Sequence, residues 1–173
     1  MKFRVDHLIR GIDLPQYETL YLDEPFNEAL CAAVNLGRTL VHFDRQNNKL
    51  ERQVRVCANR EIPGPVAKVL GTNKIEYTEH LSYVFGSFRG IWHTVPGLLA
   101  DKLESHGSFG FIPHKEGVVR WVEGEVKVHL FGLGGVVERF VLADIEKSYQ
   151  QAADFTQRWI DNKMRDAATA ASL

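Results

Sequence analysis

The chain has 173 residues, of which 45% are apolar and 25% charged, and its formal net charge is −1. A chain of this length suits one domain that buries about 70% of its unfolded surface. Its lysines and arginines are scattered, which speaks against nucleic acid as a partner, because phosphate needs a basic stripe.

No run approaches the roughly 18 apolar residues of a membrane span, so stable insertion is not expected, while transient membrane contact stays open. The start, MKFRVDHLIRG, carries charges throughout and has no apolar signal segment, so a cytoplasmic location is expected. Two cysteines, Cys31 and Cys57, make no disulfide framework. Both sit in apolar-periodic stretches and are expected to be buried free thiols.

Lys2 to Arg10 alternates, with Phe3, Val5, His7 and Ile9 on one side and Arg4, Asp6 and Arg10 among the other. That pattern predicts a half-buried strand. Pro15 to Asn35 is helical in character. Pro15 suits a first helical turn, and Asp23, Glu24 and Pro25 divide the stretch. A second short helix starts at Phe26, with Leu30, Ala33 and Val34 on its face. Two short helices in this place would support a curved sheet.

Arg38 to Arg45 and Lys49 to Arg60 read as strands joined by a turn at Gln46, Asn47 and Asn48. Leu50, Val54 and Val56 share one parity, with Arg55 and other charges nearby. Pro63 and Pro65 end the second strand, and Val66, Val69 and Leu70 suit one helical turn.

Asn73 to Phe85 is the clearest strand. Ile75, Tyr77, Leu81, Tyr83 and Phe85 share a parity on which Glu79 is the lone charge, opposite Lys74, Glu76, Thr78, His80 and Ser82. Gly86 turns the chain. Phe88 to Val95 sets Trp92 and Thr94 against Arg89 and His93, and Pro96-Gly97 breaks it. Asp101 to His114 sets Leu103, Ser105, Gly107, Phe109 and Phe111 against Glu104, His106 and Ser108. After a turn at Glu116-Gly117, Val118 to Phe131 is the last strand, marked by Val122, Val126, Val128 and Leu130.

From Gly134 to about Met164 no Pro or Gly interrupts after Gly135, and Val137, Val141, Ile145, Tyr149, Ala152, Phe155 and Trp159 recur three or four apart. This is an amphipathic helix of about thirty residues, or about 45 Å. A rod that long must lie across something wide, and the rest of the chain is strand-like. The expected fold is therefore α+β: a curved antiparallel sheet of about seven strands wrapped around the C-terminal helix, with two short helices between strands 1 and 2. Residues 1–166 are expected to form this single domain and 167–173 a disordered tail.

Two motifs add to this order. IPGPVAKVLG at 62–71 precedes the clearest strand, and GLGGVVERFVLADI at 132–145 runs into ADFTQRWI at 153–160. With them, almost the whole chain resembles the helix-grip fold of the START and birch-pollen-allergen-like superfamily, which includes polyketide cyclases and lipid-transfer proteins. Within it the chain most resembles an uncharacterised bacterial family. The resemblance implies a cavity between sheet and helix for sterols, lipids, polyketides or hormones, and no defined catalytic set.

Glu79 is the sharpest candidate for chemistry. A carboxylate facing an apolar pocket is costly unless paired, and it can serve as general acid or base or anchor a ligand hydroxyl. The bland alternatives are a bulge that turns it outward, or a core arginine that satisfies it. Tyr77 and Tyr83 share its face and could orient a ligand, although core tyrosines bonded to backbone are commoner. The seven histidines show no metal-binding spacing, and solvent-facing imidazoles are expected, without metal or cofactor. Gly132-Leu133-Gly134-Gly135 lacks the last glycine of a phosphate-binding fingerprint, since Val137 stands there. These glycines are expected to make the tight approach to the helix. The apolar segments Pro63 to Leu70 and Pro96 to Ala100 could gate a cavity, touch a membrane or pack on the long helix.

The first expectation is a protein that binds, and could carry, a small hydrophobic molecule. Tyr77, Leu81, Tyr83, Trp92, Phe109 and Phe111 would line one wall, Val137, Val141 and Ile145 the other, and Glu79 would give polar selectivity. The second is a cyclase-, aromatase- or hydrolase-like enzyme using Glu79 and a tyrosine, which the residues favour less. The third is a structural or regulatory module with a packed interior. Oligomeric state stays open.

Overall fold

Two caps and a tight hairpin set the first third of the chain. In the computed structural model, which describes residues 1–58, 62, 64, 67–68, 71, 74–97, 102–129, 132 and 134–171, strand β1 (Lys2–Arg10) leads into helices α1 (Leu14–Leu22) and α2 (Glu24–Ala33). The Asp13 carboxylate accepts the Gln16 amide at 2.9 Å, and the Gln16 side chain accepts the Asp13 amide at 3.3 Å. This reciprocal box satisfies two amide donors that a helix start leaves open. Asp23 ends α1 and caps α2, its carboxylate accepting the Phe26 amide at 2.9 Å.

Six strands follow: β2 (Leu36–Gln46), β3 (Lys49–Ala58), β4 (Ile75–Val84), β5 (Arg89–Pro96), β6 (Leu103–His114) and β7 (Gly117–Val128). With β1 they form one seven-stranded curved sheet, in the order β1-β7-β6-β5-β4-β3-β2, with every neighbouring pair antiparallel. Asn47 and Asn48 close the β2–β3 hairpin, with Asn47 at φ 55°, a left-handed conformation that asparagine tolerates. A register shift between Leu40 and His42 marks an irregularity in β2.

Helix α3 (Gly134–Ala171) crosses the concave face. Its 38 residues give a length of about 57 Å. The glycines at its start are needed for geometry. Gly132 sits at φ 73°, and a Cβ on Gly134 would meet the Val128 carbonyl oxygen at 2.5 Å. The helix continues through Ala171, so 167–171 extend it rather than forming a tail, because no Pro or Gly stops it there. The expectations for Pro63, Pro65, Val66, Val69, Leu70, residues 98–100, Leu130, Phe131 and Leu133 fall outside the described residues.

Parity along each strand decides what faces α3. Phe3, Val5 and Ile9 of β1, Leu50, Val54 and Val56 of β3, and Val118, Val122 and Val126 of β7 turn inward, as alternation requires. Position along the strand then decides how the space is filled. At one end α1 packs aromatic rings onto the sheet. Tyr17 meets Phe111 edge-on at 5.0 Å, and Tyr21 lies 5.2 Å from Phe109 and 5.0 Å from Phe111. Leu81, Tyr83, Trp92, Ala153 and Ile160 complete that core. A smaller cluster, centred on Ile62 and Val137, gathers Ile75, Val128, Phe140 and Val141.

Candidate ligand cavity

The two clusters do not fill all the space between the sheet and α3. A cavity of about 300 Å³ remains. Ligand pockets span about 300–1,000 Å³, so this one is sized for a small molecule. Its wall is built from paired positions on neighbouring strands. Val54, Glu79, Thr94 and Ser105 stand in register across β3 to β6, and Arg38, Val56, Tyr77 and Pro96 across β2 to β5. Helix α3 supplies Phe140, Val141, Ile145, Ser148, Tyr149, Ala152 and Thr156, and α1 and α2 supply Tyr21, Phe26, Leu30 and Cys31.

Trp92 closes part of the wall because two glycines make room for it. Gly107 and Gly124 face each other, and Cβ atoms on them would meet the Trp92 ring at 2.8 and 2.6 Å. A Cβ on Gly107 would also overlap the Glu123 carbonyl oxygen at 2.0 Å.

Of the residues expected at a ligand, Tyr77, Glu79, Trp92, Val141 and Ile145 line the cavity. Leu81, Tyr83, Phe109 and Phe111 do not; they have the right parity but lie at the end that α1 fills. The Tyr83 hydroxyl donates to Glu18 at 2.7 Å, and burial with this carboxylate pushes its pKa up. Val137 is also absent from the wall, because it packs on Ile62. The cysteines are corrected too: both are free but only half-buried, and Cys31 lines the cavity, its thiol pKa raised by burial.

Charges that the apolar alternation does not single out share the wall. Arg52, 5% exposed, donates to Glu24 at 2.9 Å and stands 3.9 Å from Glu79. Glu24 also takes Arg38 at 2.5 Å. A core arginine therefore faces Glu79, as one of the bland alternatives held. Arg120, 2% exposed, occupies the inward parity of β7 between Val118 and Val122. Its Nη2 lies 3.0 Å from His7 Nδ1 and donates to the Tyr149 carbonyl oxygen at 3.0 Å, and its guanidinium lies 5.3 Å from the Tyr149 ring. Burial raises the pKa of Tyr17, Tyr21 and Tyr149, so these phenols stay protonated at neutral pH. Among the described residues, three buried donors find no acceptor: Arg52 Nε, Arg120 Nε and the Trp92 indole N–H. One signal would have found both arginines. It is the one that picked out Glu79: a charge on the apolar parity of a strand.

The other histidines stand apart from this wall. His80 and His93 stack at 4.4 Å, and His93 pairs in register with His106. Among the described residues, no group of three or more His, Cys, Asp or Glu is placed to hold a metal ion, and no helix is long and apolar enough to cross a membrane.

Residues 12–160 match the family described as "Protein of unknown function (DUF2505)". The chain belongs to this family. No curated protein sequence matches this DUF2505 chain. Its fold recurs in solved structures. TTHA0849 from Thermus thermophilus is similar at 14% identity, TM-score 0.66, over 94% of this chain and 99% of that one. The di-domain ARO/CYC StfQ from the steffimycin biosynthetic pathway is similar at 10% identity, TM-score 0.64, over 94% of this chain and 52% of that one. Ms6760 from Mycobacterium smegmatis is similar at 10% identity, TM-score 0.62, over 94% of this chain and 92% of that one. At these identities the likeness shows the fold, and the DUF2505 chain has a helix-grip fold.

Proposed function

We propose that this chain binds, and carries, a small hydrophobic molecule of lipid or polyketide kind between its sheet and α3. We further propose that it belongs to the START and birch-pollen-allergen-like superfamily and works in the cytoplasm. One observation carries the reading: a cavity of about 300 Å³ stands between two packed clusters, walled largely by apolar side chains. Burying ligand surface there would contribute about 25 cal/mol per Å² before losses. The shared fold of the steffimycin-pathway ARO/CYC protein supports the polyketide-like class.

The test is native mass spectrometry of protein purified gently from its own host, followed by solvent extraction. A bound apolar molecule of defined mass is expected. A uniformly bare protein that also takes up no hydrophobic probe would overturn the reading.

A second reading is an enzyme of cyclase, aromatase or hydrolase kind. It is favoured by Glu79, Tyr77, Tyr21 and Tyr149 sharing the cavity wall. On that reading Glu79→Gln loses turnover of the extracted molecule while keeping its binding. Unchanged turnover removes Glu79 from the chemistry.

A further inference from the structure

Arg120 is a buried cation whose partners are all uncharged. Its Nη2 meets the His7 ring nitrogen and the Tyr149 carbonyl oxygen, each at 3.0 Å. The Arg120 charge also acts on the buried Tyr17 phenol, lowering its pKa against the larger effect of burial. His7 is held neutral at pH 7, its pKa lowered by burial and by Arg120 itself. Among the described residues no carboxylate forms an ion pair with Arg120, and its Nε has no acceptor. Arg38 and Arg52 are different, because Glu24 joins both and Glu79 stands near the second. Taking a guanidinium out of water without a counter-charge is unfavourable. Here the unmet charge lies on a cavity wall, which also holds the unmet donors of Arg52 and Trp92.

We propose that the cavity takes a small amphipathic carboxylic acid, its carboxylate paired with Arg120 and its hydrocarbon part packed on Val54, Val56, Ile75, Val141 and Ile145. This rests on the container function proposed above and names its ligand class. The planar guanidinium fork matches a carboxylate in shape and charge. The acidic residues of the wall are Glu76, Glu79 and Asp144. Glu79 faces Arg52 at 3.9 Å. Asp144 lies five residues before Tyr149 on α3, about 7.5 Å along the helix axis. The five apolar residues leave the rest of the wall suited to an alkyl or aryl body.

The test is displacement of the fluorescent neutral probe N-phenyl-1-naphthylamine at pH 7.5 by decanoate and by 1-decanol. These two share a chain and differ in charge. Wild-type protein should prefer decanoate by about tenfold or more. Arg120→Met should erase that preference while still binding the neutral probe, and Arg120→Lys should keep part of it. Retained probe binding separates loss of the charge from loss of the fold. Equal displacement by acid and alcohol in the wild type overturns the carboxylate assignment and leaves the container reading standing, whatever the variants do. Failure of the wild type to bind the probe or either competitor overturns both.

Discussion

Arg120 occupies a position where an alternating strand would ordinarily carry a valine, and it pairs in register with His7 of β1, its Nη2 3.0 Å from the His7 Nδ1. The pair makes a pH prediction. Burial, then Arg120, lowers the His7 pKa, while Gln150, Asp154 and Asp6 oppose the shift. In the unfolded chain the imidazole takes a proton near pH 6.5, and in the fold it does so only at lower pH. The contribution of His7 to stability is therefore complete above about pH 6.5 and falls as pH drops toward the folded value. His93 shifts in the same direction, through burial and its neighbours His80 and His106. The urea midpoint should fall between pH 7.5 and 5.5, and His7→Gln should fall less. An identical fall in the variant would remove His7 from the account. Glu24 makes the second residue-scale prediction. It holds two arginines that are 6% and 5% exposed at their side chains, so Glu24→Ala leaves both without this partner. The loss should be about 3 kcal/mol by denaturant titration.

Among the elements, α1 decides how much of the sheet is available to a ligand. Its capping box sets where the helix begins, and Tyr17 and Tyr21 fill one end of the concave face. Asp13→Ala should cost about 1 kcal/mol, read from the thermal or denaturant midpoint. A loss below a few tenths would mean that packing alone holds α1. The element order and strand parity were legible in the sequence, because alternation over β4 and β6 and the spacing along α3 report directly on which side chains meet the core. How far the rings of α1 reach along the strands was not, because no periodic pattern encodes it. Leu81, Tyr83, Phe109 and Phe111 therefore have the expected parity but pack at the end that α1 fills. Arg52 and Arg120 were legible by the reasoning that found Glu79. The apolar residues that flank them on the same parity of β3 and β7 mask that signal.

Across the whole molecule, the sheet and α3 pack at two clusters that leave a cavity between sheet and helix. Tight interiors leave few voids larger than a water molecule, so a cavity of about 300 Å³ is a departure that a ligand would explain. Filling it should act on binding before it acts on folding. Ala152 is suited to this, because it lies on the cavity-facing side of α3, one turn from both Ser148 and Thr156. The most direct measurement is the affinity of N-phenyl-1-naphthylamine for the wild type, Ala152→Leu and Ala152→Trp, with thermal midpoints recorded alongside. A cavity that holds ligands predicts saturable binding by the wild type, weakened in order of added side-chain volume, with the fold retained. Binding that is unchanged by the tryptophan would place the probe elsewhere and contradict the account.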